Sequence, residues 1–486
     1  MKFLSVKTLF SVIVLMMAPD FARLANAQSA IDSIFVLSDT TQTLSLDGFY
    51  KIILANHPVV KQAQLLNEMA QQEIRLARGS FDPKLASSFD HKEFEDKTYY
   101  SKLDAHLSFP TWFPVNPKIG YQRNTGELLN NEDGIPGGEQ FYAGVSVPIG
   151  RGLFTDEKRA AVRQAELFMD LATADQVKIV NKILLEAAKD YWHWYYAYYQ
   201  YRLSNQGVRI AEEIFSRVKV TMEQGELAVV DTVQAKITLQ ARRVERQEAL
   251  LAFQNAGISI SNYLWDDQST PVQLGVTVVP VMTDADQRFL HNELLEDLLA
   301  KAKENHPELM KLSVKLDQLD VDRKLAREYL KPKLDLSYSL LSQPTAAHEI
   351  DPFNDYKIGI DFSFPLFLRK ERSKLALTKL KIENTQFQRR QSEREIINEV
   401  NTTFNELINT SLVIAQQKEV VGLYERLLES ELLNLENGES DLFKINVQQE
   451  KLLQSQSKLL KLTSDLQKQK ALLYWAAGIR NLNNAE

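Results

Sequence analysis

The sequence repeats itself once, in two halves that lie 249 positions apart. The tripeptide Asn-His-Pro stands at 56–58 and again at 305–307. Over residues 56–85 and 305–334, nine of thirty positions are identical without a gap. Unrelated stretches of ordinary composition would share about two. The chain is therefore a tandem duplication, and each half must build the same set of elements.

Each half is predicted to form a helix pair, strands, a long helix, a turn and a shorter helix. The helices are predicted at 45–79, 155–222 and 229–265, and again at 294–329, 369–437 and 441–477. At 1.5 Å per residue the long helices span ~100 Å and the others ~50–55 Å. Two short helices laid end to end therefore match one long helix.

Apolar residues recur every seven positions in the last helix of each half. They are Val230, Ile237, Val244, Leu251 and Ile258 in the first half, and Ile445, Leu452, Leu459, Leu466 and Leu473 in the second. This period predicts a left-handed coiled coil. A soluble helical bundle gives the same period, so the pattern alone leaves both open.

Alternating strands separate the helices, and each has one apolar and one polar face. The clearest are 334–341 and 357–364, and 141–150 is the matching strand of the first half. The first half has about thirty extra residues, within which 102–110 and 117–124 are either two more strands or a structured loop. Four to six strands cannot close a lipid-exposed barrel around water, so several chains would have to pool them. The alternative is a small sheet packed on helices in a soluble protein.

Composition excludes several kinds of protein. The chain has no cysteine, so it has no disulfide and no thiolate metal site. Residues 1–27 resemble a secretory signal with a net charge of +2, and the remainder carries about −9, which argues against nucleic acid as a partner. The seven histidines show no metal-binding spacing, and no catalytic motif is present. We therefore expect no enzyme activity, no metal and no cofactor.

Several short motifs together resemble the TolC-like outer-membrane efflux proteins. They are the opening of each half at 55–58, the strand entries at Pro83/Leu85 and Pro332/Leu334, the strand exits at 145–148 and 362–365, and the helix-hairpin tip from Gly225 to Asp231. The resemblance covers residues 43 to 478. It rests on the order and duplication of the motifs, because no single motif is specific.

The resemblance implies a mainly α fold with a membrane β-barrel part. Three chains would form a twelve-stranded outer-membrane barrel, with a possible extra hairpin from the first half, and a coiled-coil helical tunnel in the periplasm of a Gram-negative bacterium. The expected function is passive export in a tripartite efflux or type I secretion system. The expected partners are a periplasmic adaptor, an inner-membrane pump and outer-membrane lipid. The alternative is a soluble periplasmic coiled-coil adaptor or scaffold.

The resemblance also implies roles at the helix-hairpin tips. The residues expected to contact the adaptor are Gly225, Glu226, Leu227, Gly438 and Glu439. Lys444 and Val447 stand where the family's best-known members place gate aspartates. The gate candidates here are Asp231, Asp441 and Lys444.

Two groups of aromatic residues have different predicted roles. The run at 190–202 lies far down the long helix and predicts a packed core near the middle of the rods. An aromatic belt at the membrane surface is predicted at Trp112, Phe113, Phe364 and Phe367.

The predicted domains follow from these elements. They are a signal peptide at 1–27, an N-terminal linker at 28–42, a first repeat at 43–265 with strands at about 84–150, an inter-repeat linker at 266–292, a second repeat at 293–478 with strands at about 333–367, and a C-terminal tail at 479–486.

Overall fold

The structure is a computed structural model that describes residues 42–275, 277–281, 292–343, 351–437 and 439–479. Both halves contain the predicted order of elements. The first half comprises β1 (Gln42–Leu44), α1 (Leu46–Asn56), α2 (Pro58–Arg78), β2 (Lys84–Phe94), β3 (Lys97–Ser108), β4 (Asn116–Thr125), β5 (Glu139–Pro148), α3 (Glu157–Glu223) and α4 (Val229–Ser261). The second half comprises β6 (Val278–Pro280), α5 (Asn292–Asn305), α6 (Pro307–Glu328), β7 (Lys333–Ser342), β8 (Tyr356–Ser363), α7 (Arg369–Glu436) and α8 (Leu442–Ala476).

The repeated Asn-His-Pro tripeptide separates the two short helices of each half. His57 and His306 have the same extended backbone, with φ −65° and ψ of 130° and 125°. Their Nδ1 atoms accept hydrogen bonds at 3.2 Å from the backbone N–H groups of Val59 and Glu308. The proline that follows lies in the first turn of the next helix, where its missing N–H costs no hydrogen bond. The duplication is therefore visible in the capping geometry.

Acid is expected to destabilise the protein through these two caps. Burial lowers the pKa of both His57 and His306 from the ordinary 6.5. The unfolded chain therefore binds these protons more tightly. The stability that the neutral caps contribute is complete above pH 6.5 and is lost as the pH falls through the lower folded pKa.

We expect the Tm to fall more between about pH 7.5 and about pH 5 in the native protein than in the double variant His57→Asn, His306→Asn. Asparagine caps a helix without titrating. Differential scanning calorimetry measures both proteins, and equal falls would contradict the role of these caps.

The helices pack side by side in a fixed order. α3 packs along α2 near the strands and along α4 further away, and α7 packs along α6 and α8 in the same way. α3 also contacts α6 and α8, which joins the two halves. One side of the molecule therefore ends in α2 and α4, and the other ends in α7. None of the described helices is long and apolar enough to cross a lipid bilayer.

The aromatic run at 190–202 lies in the middle of α3 and forms the largest core. Trp194 is fully buried and Tyr191 is 1% exposed. The Tyr191 hydroxyl donates to the Leu44 carbonyl at 2.8 Å, and the Ser464 hydroxyl of α8 donates to the Trp192 carbonyl at 2.6 Å. The predicted packed core is confirmed.

Six strands form one antiparallel sheet in the order β2-β3-β4-β5-β7-β8. The segments 102–110 and 117–124 fall mainly in β3 and β4, so the first half contributes four strands and the possible extra hairpin is present. Three chains would therefore pool more strands than the twelve that the resemblance implied. The chain is mainly helical and carries this one large sheet, which confirms the predicted fold class.

A second, two-stranded sheet was not predicted. β1 pairs in parallel with β6, from Gln42 opposite Val278 to Leu44 opposite Pro280. Strands of three residues are too short for an alternating pattern to reveal. The pair ties the start of the first repeat to the linker predicted at 266–292.

Some predicted segments lie outside the described residues. These are the signal peptide at 1–27, nearly all of the linker at 28–42, residues 282–291 of the inter-repeat linker, Gly438 and the tail beyond residue 479.

Candidate channel wall and helix tips

The six-stranded sheet has one apolar face and one polar face. Residues that pair directly across antiparallel strands lie on the same face. One such row runs from Leu107 through Ile119 and Ala143 to Leu340. The apolar face also carries Leu85, Phe89, Leu103, Tyr121, Phe141, Val145, Val147, Leu336, Tyr338, Ile358, Ile360 and Phe362.

The apolar face is uncovered in the single chain. Phe362 is 68% exposed, Ile360 is 66% exposed and Phe89 is 65% exposed. Contiguous exposed apolar surface of this kind marks contact with a membrane or with another protein. The alternative of a small sheet packed on its own helices therefore does not describe this chain.

The polar face is held by hydrogen bonds between neighbouring strands. The Asp104 carboxylate accepts from the Gln122 amide at 2.6 Å and from the Tyr142 hydroxyl at 3.2 Å. The Nδ1 atom of His106 lies 2.6 Å from the same carboxylate, and Gln140 donates to Gln122 at 2.8 Å. A face of this chemistry suits water, so the sheet separates an aqueous side from an apolar side.

Both edges of the sheet are open in the described chain. β2 pairs only with β3, and β8 pairs only with β7, so each has one side without a strand partner. An unpaired strand edge in hydrocarbon costs several kcal/mol per backbone group. If the apolar face contacts lipid, other chains must supply the missing edges.

The two helices with a seven-residue apolar stripe differ in how far that stripe is exposed. The seven-residue stripe of α4 points outward, with exposures of 67% for Val230, 65% for Ile237 and 57% for Val244. In the equivalent stripe of α8, Ile445, Leu466 and Leu473 are at most 2% exposed, and Leu452 and Leu459 are partly buried. The period is therefore present in both helices, but among the described residues only the α8 stripe packs largely within the chain.

The opposite side of the molecule also exposes apolar residues, and these belong to α7. Leu380 is 62% exposed, Phe387 is 57% exposed and Leu412 is 61% exposed. The α4 stripe and the α7 residues occupy opposite ends of the helix order, as β2 and β8 occupy opposite edges of the sheet. Each side of the chain therefore combines an unpaired strand edge with exposed apolar residues on a helix.

The four predicted belt residues lie where the sheet meets the helices. Trp112 and Phe113 are in the loop between β3 and β4, and Phe364 and Phe367 follow β8. Their exposures are 44%, 74%, 38% and 73%. Aromatic rings at one end of a strand layer are typical of a membrane–water interface.

The chain reverses direction at Gly225, in the predicted tip between α3 and α4. Gly225 has φ +83° in the left-handed region. The Gly225 N–H donates to the Met222 carbonyl at 3.0 Å, and the Glu226 N–H donates to the Thr221 carbonyl at 3.1 Å. These two bonds define a Schellman motif. Leu227 is half-buried beside the exposed Glu226.

The tip between α7 and α8 repeats one of these bonds. The Glu439 N–H donates to the Asn434 carbonyl at 2.8 Å, five positions earlier, as Glu226 does to Thr221. Gly438 itself lies outside the described residues. The exposed Glu439 occupies the position equivalent to Glu226.

The gate candidates take part in helix capping. Asp231 accepts from the Ala228 N–H at 3.2 Å at the start of α4. Asp441 accepts from the Lys444 N–H at 2.8 Å at the start of α8, and the Lys444 side chain is exposed. The structure thus gives both aspartates a local structural role, and gating by these residues stays a prediction. No group of three histidine, aspartate or glutamate side chains within the described ranges is placed to hold a metal ion.

One charged contact between the two halves was not predicted. Arg242 of α4 is 6% exposed. Its guanidinium donates hydrogen bonds to the carboxylates of Glu245 and Glu450, and Glu450 belongs to α8 of the other half. Gly207 of α3 leaves the space beside it. Nothing in the sequence marks this arginine, because its partner lies 208 positions away.

Comparison with known proteins agrees with this architecture. The Outer membrane efflux protein family matches residues 298–479, which is most of the second half. No curated protein sequence matches the chain.

Three solved structures illustrate the similarity in fold. The CmeC outer membrane channel of Campylobacter jejuni has a TM-score of 0.62 and 14% sequence identity, over 89% of this chain and 85% of that chain. The outer membrane protein VceC of Vibrio cholerae has a TM-score of 0.62 and 15% identity, over 89% and 96%. The open MtrE outer membrane channel of Neisseria gonorrhoeae has a TM-score of 0.62 and 13% identity, over 89% of both chains.

The family match and the fold together confirm the predicted resemblance to the TolC-like outer-membrane efflux proteins. Both similarities are to outer-membrane proteins, which agrees with the predicted location in the outer membrane, with the helical part in the periplasm.

Proposed function

We propose that this chain, whose fold is that of the outer-membrane efflux channels, is one third of a passive export duct. The duct is the outer-membrane component of a tripartite efflux or type I secretion system. The observation that carries the proposal is the pair of open sides: the chain ends at one side in β2 and α4, and at the other in β8 and α7, with apolar residues exposed on both helices.

The open sides of two neighbouring copies are complementary in their strand edges and in their apolar helix residues. β2 of one copy can pair with β8 of the next, and the α4 stripe can pack against the apolar residues of α7. A head-to-tail contact of this kind closes into a ring when the rotation between copies is right. The family resemblance supports three copies.

The helical part supports a duct that crosses the periplasm. α3 and α7 have 67 and 68 residues, so each spans ~100 Å. Their tips lie at the ends remote from the sheet, where an adaptor joined to an inner-membrane pump would contact Gly225, Glu226, Leu227, Gly438 and Glu439. Energy for export would come from the pump.

Replacing Gly225 with valine is expected to abolish export while leaving trimers intact. A β-branched residue is strained at φ +83°, so the Schellman turn must rearrange. The matched control is Gly225→Asn, because asparagine tolerates left-handed angles. Drug sensitivity of cells that carry each variant is the readout, and the contact role fails if Gly225→Val cells stay as resistant as the control.

The proposed function is tested by extraction and reconstitution. We expect the protein to fractionate with membranes, to need mild detergent, to run as a heat-modifiable trimer and to conduct ions in a planar bilayer. A monomer that is soluble without detergent would contradict the duct and favour the alternative of a periplasmic adaptor or scaffold.

A further inference from the structure

The hairpin of β3 and β4 has the dimensions of membrane-spanning strands. β3 has 12 residues and β4 has 10, compared with 11 in β2 and 10 in β5. A tilted strand needs about 9–11 residues to cross a bilayer. The hairpin is therefore long enough to stand in the membrane beside its neighbours.

The hairpin lies inside the sheet and not at its edge. β2 follows the helix pair of the first half and β5 leads into α3, while β3 and β4 lie between them. Among the described strands, β2 is attached to the sheet only through β3. Moving the hairpin out of the wall would break the β2–β3 and β4–β5 ladders.

The side chains of the hairpin continue both faces of the sheet. Leu107 and Ile119 belong to the apolar row that continues to Leu340, and Asp104 and Gln122 belong to the polar network. A hairpin that folded outside the wall would need no such two-sided pattern.

The register across the hairpin also has the stagger that barrels require. The paired row starts at Leu85, one residue from the helix end of β2, and finishes at Tyr356, at the far end of β8. Strands that pair in this way are tilted relative to the row, and tilt is the condition for closing a sheet into a barrel.

The loop of the hairpin ends at the level where the other strands meet helices. The Phe109 N–H donates to the Pro117 carbonyl at 2.9 Å. The Trp112 ring centre lies 5.5 Å from that of Phe81, which is in the connection between α2 and β2. The hairpin thus spans the same height as the strands beside it.

We propose that all six strands of each chain are wall strands, so that the trimer closes a barrel of eighteen strands and not twelve. This inference rests on the proposed function. Barrel diameter grows roughly in proportion to strand number, so this barrel is about 1.5 times as wide as a twelve-stranded one and has about twice the cross-section. Sixteen to eighteen strands leave an open aqueous channel in other barrels. Cargo size is then limited in the helical part of the duct.

The test is electron cryo-microscopy of the full-length protein in lipid nanodiscs. We expect a trimer with eighteen wall strands. A trimer with twelve wall strands and the hairpin outside would overturn the inference and leave the proposed duct standing. A protein that forms no trimer in the bilayer would overturn the proposed function, and the inference with it.

A deletion variant gives a second measurement. Removing residues 97–125 joins β2 to the loop that leads into β5 and preserves the antiparallel order. We expect this variant to form a trimer of twelve strands with a barrel about two-thirds as wide. The control removes residues 128–134 from the loop between β4 and β5 and should keep the native width. An unchanged width in the 97–125 deletion would show that the hairpin is not part of the wall.

Discussion

Arginine at position 360 is expected to prevent stable insertion of the protein into membranes. Ile360 lies near the middle of β8 on the apolar face and is 66% exposed in the single chain. On the lipid-facing side of a barrel, arginine at the bilayer midplane costs about 2–4 kcal/mol. Three copies multiply this cost in each assembled duct.

The next residue supplies a matched control. Asp361 lies on the polar face, opposite Asp335 of β7, so Asp361→Arg adds the same side chain on the aqueous side and relieves a like-charge pair. We expect Asp361→Arg to give native amounts of trimer in the membrane fraction and Ile360→Arg to give little or none. Equal amounts of trimer from the two variants would show that the apolar face does not contact lipid.

Acidic residues in the α4 stripe are expected to separate the subunits without unfolding them. Ile237 and Val244 are 65% and 57% exposed in the chain, so Ile237→Glu with Val244→Glu removes little packing within it. Burying an aliphatic side chain contributes about 1.5–3 kcal/mol, and two per subunit contact are lost together with the desolvation of two carboxylates.

Native mass spectrometry in mild detergent measures the outcome. We expect trimers to be replaced by monomers whose helical content by circular dichroism is unchanged. The control is Gln240→Glu with Gln247→Glu, which changes two exposed polar positions of the same helix and adds the same charge. Trimers that survive the stripe variant would exclude the α4 stripe from the subunit contact.

The sequence was most informative where a feature is local and repeated. The Asn-His-Pro caps, the left-handed Gly225 and the lengths of α3 and α7 depend on short-range geometry, and the duplication supplies each signal twice. The faces of the strands were also predictable, because alternation needs no knowledge of the partner strand.

Features that depend on register or on a distant partner were not predictable. The bonds around Asp104 come from three strands, and Arg242 meets Glu450 across the two halves. The seven-residue period did not reveal that the α8 stripe is largely buried within the chain while the α4 stripe is exposed, because the period is the same for contacts within and between chains. The candidate site suffers most from this limit, because the contacts proposed for the tip residues would be made with other chains.

The pairing of the two open edges can be measured directly by disulfide cross-linking, because the chain contains no cysteine. Each variant carries two cysteines, one that replaces Ser88 or Asp90 of β2 and one that replaces Lys357 or Asp361 of β8. All four positions lie on the polar face. Oxidation of cells that express these variants should give dimers and trimers on denaturing gels from at least one combination, with no larger product. No cross-linked product from any combination, or a ladder that continues past the trimer, would contradict a wall closed by three copies of this chain.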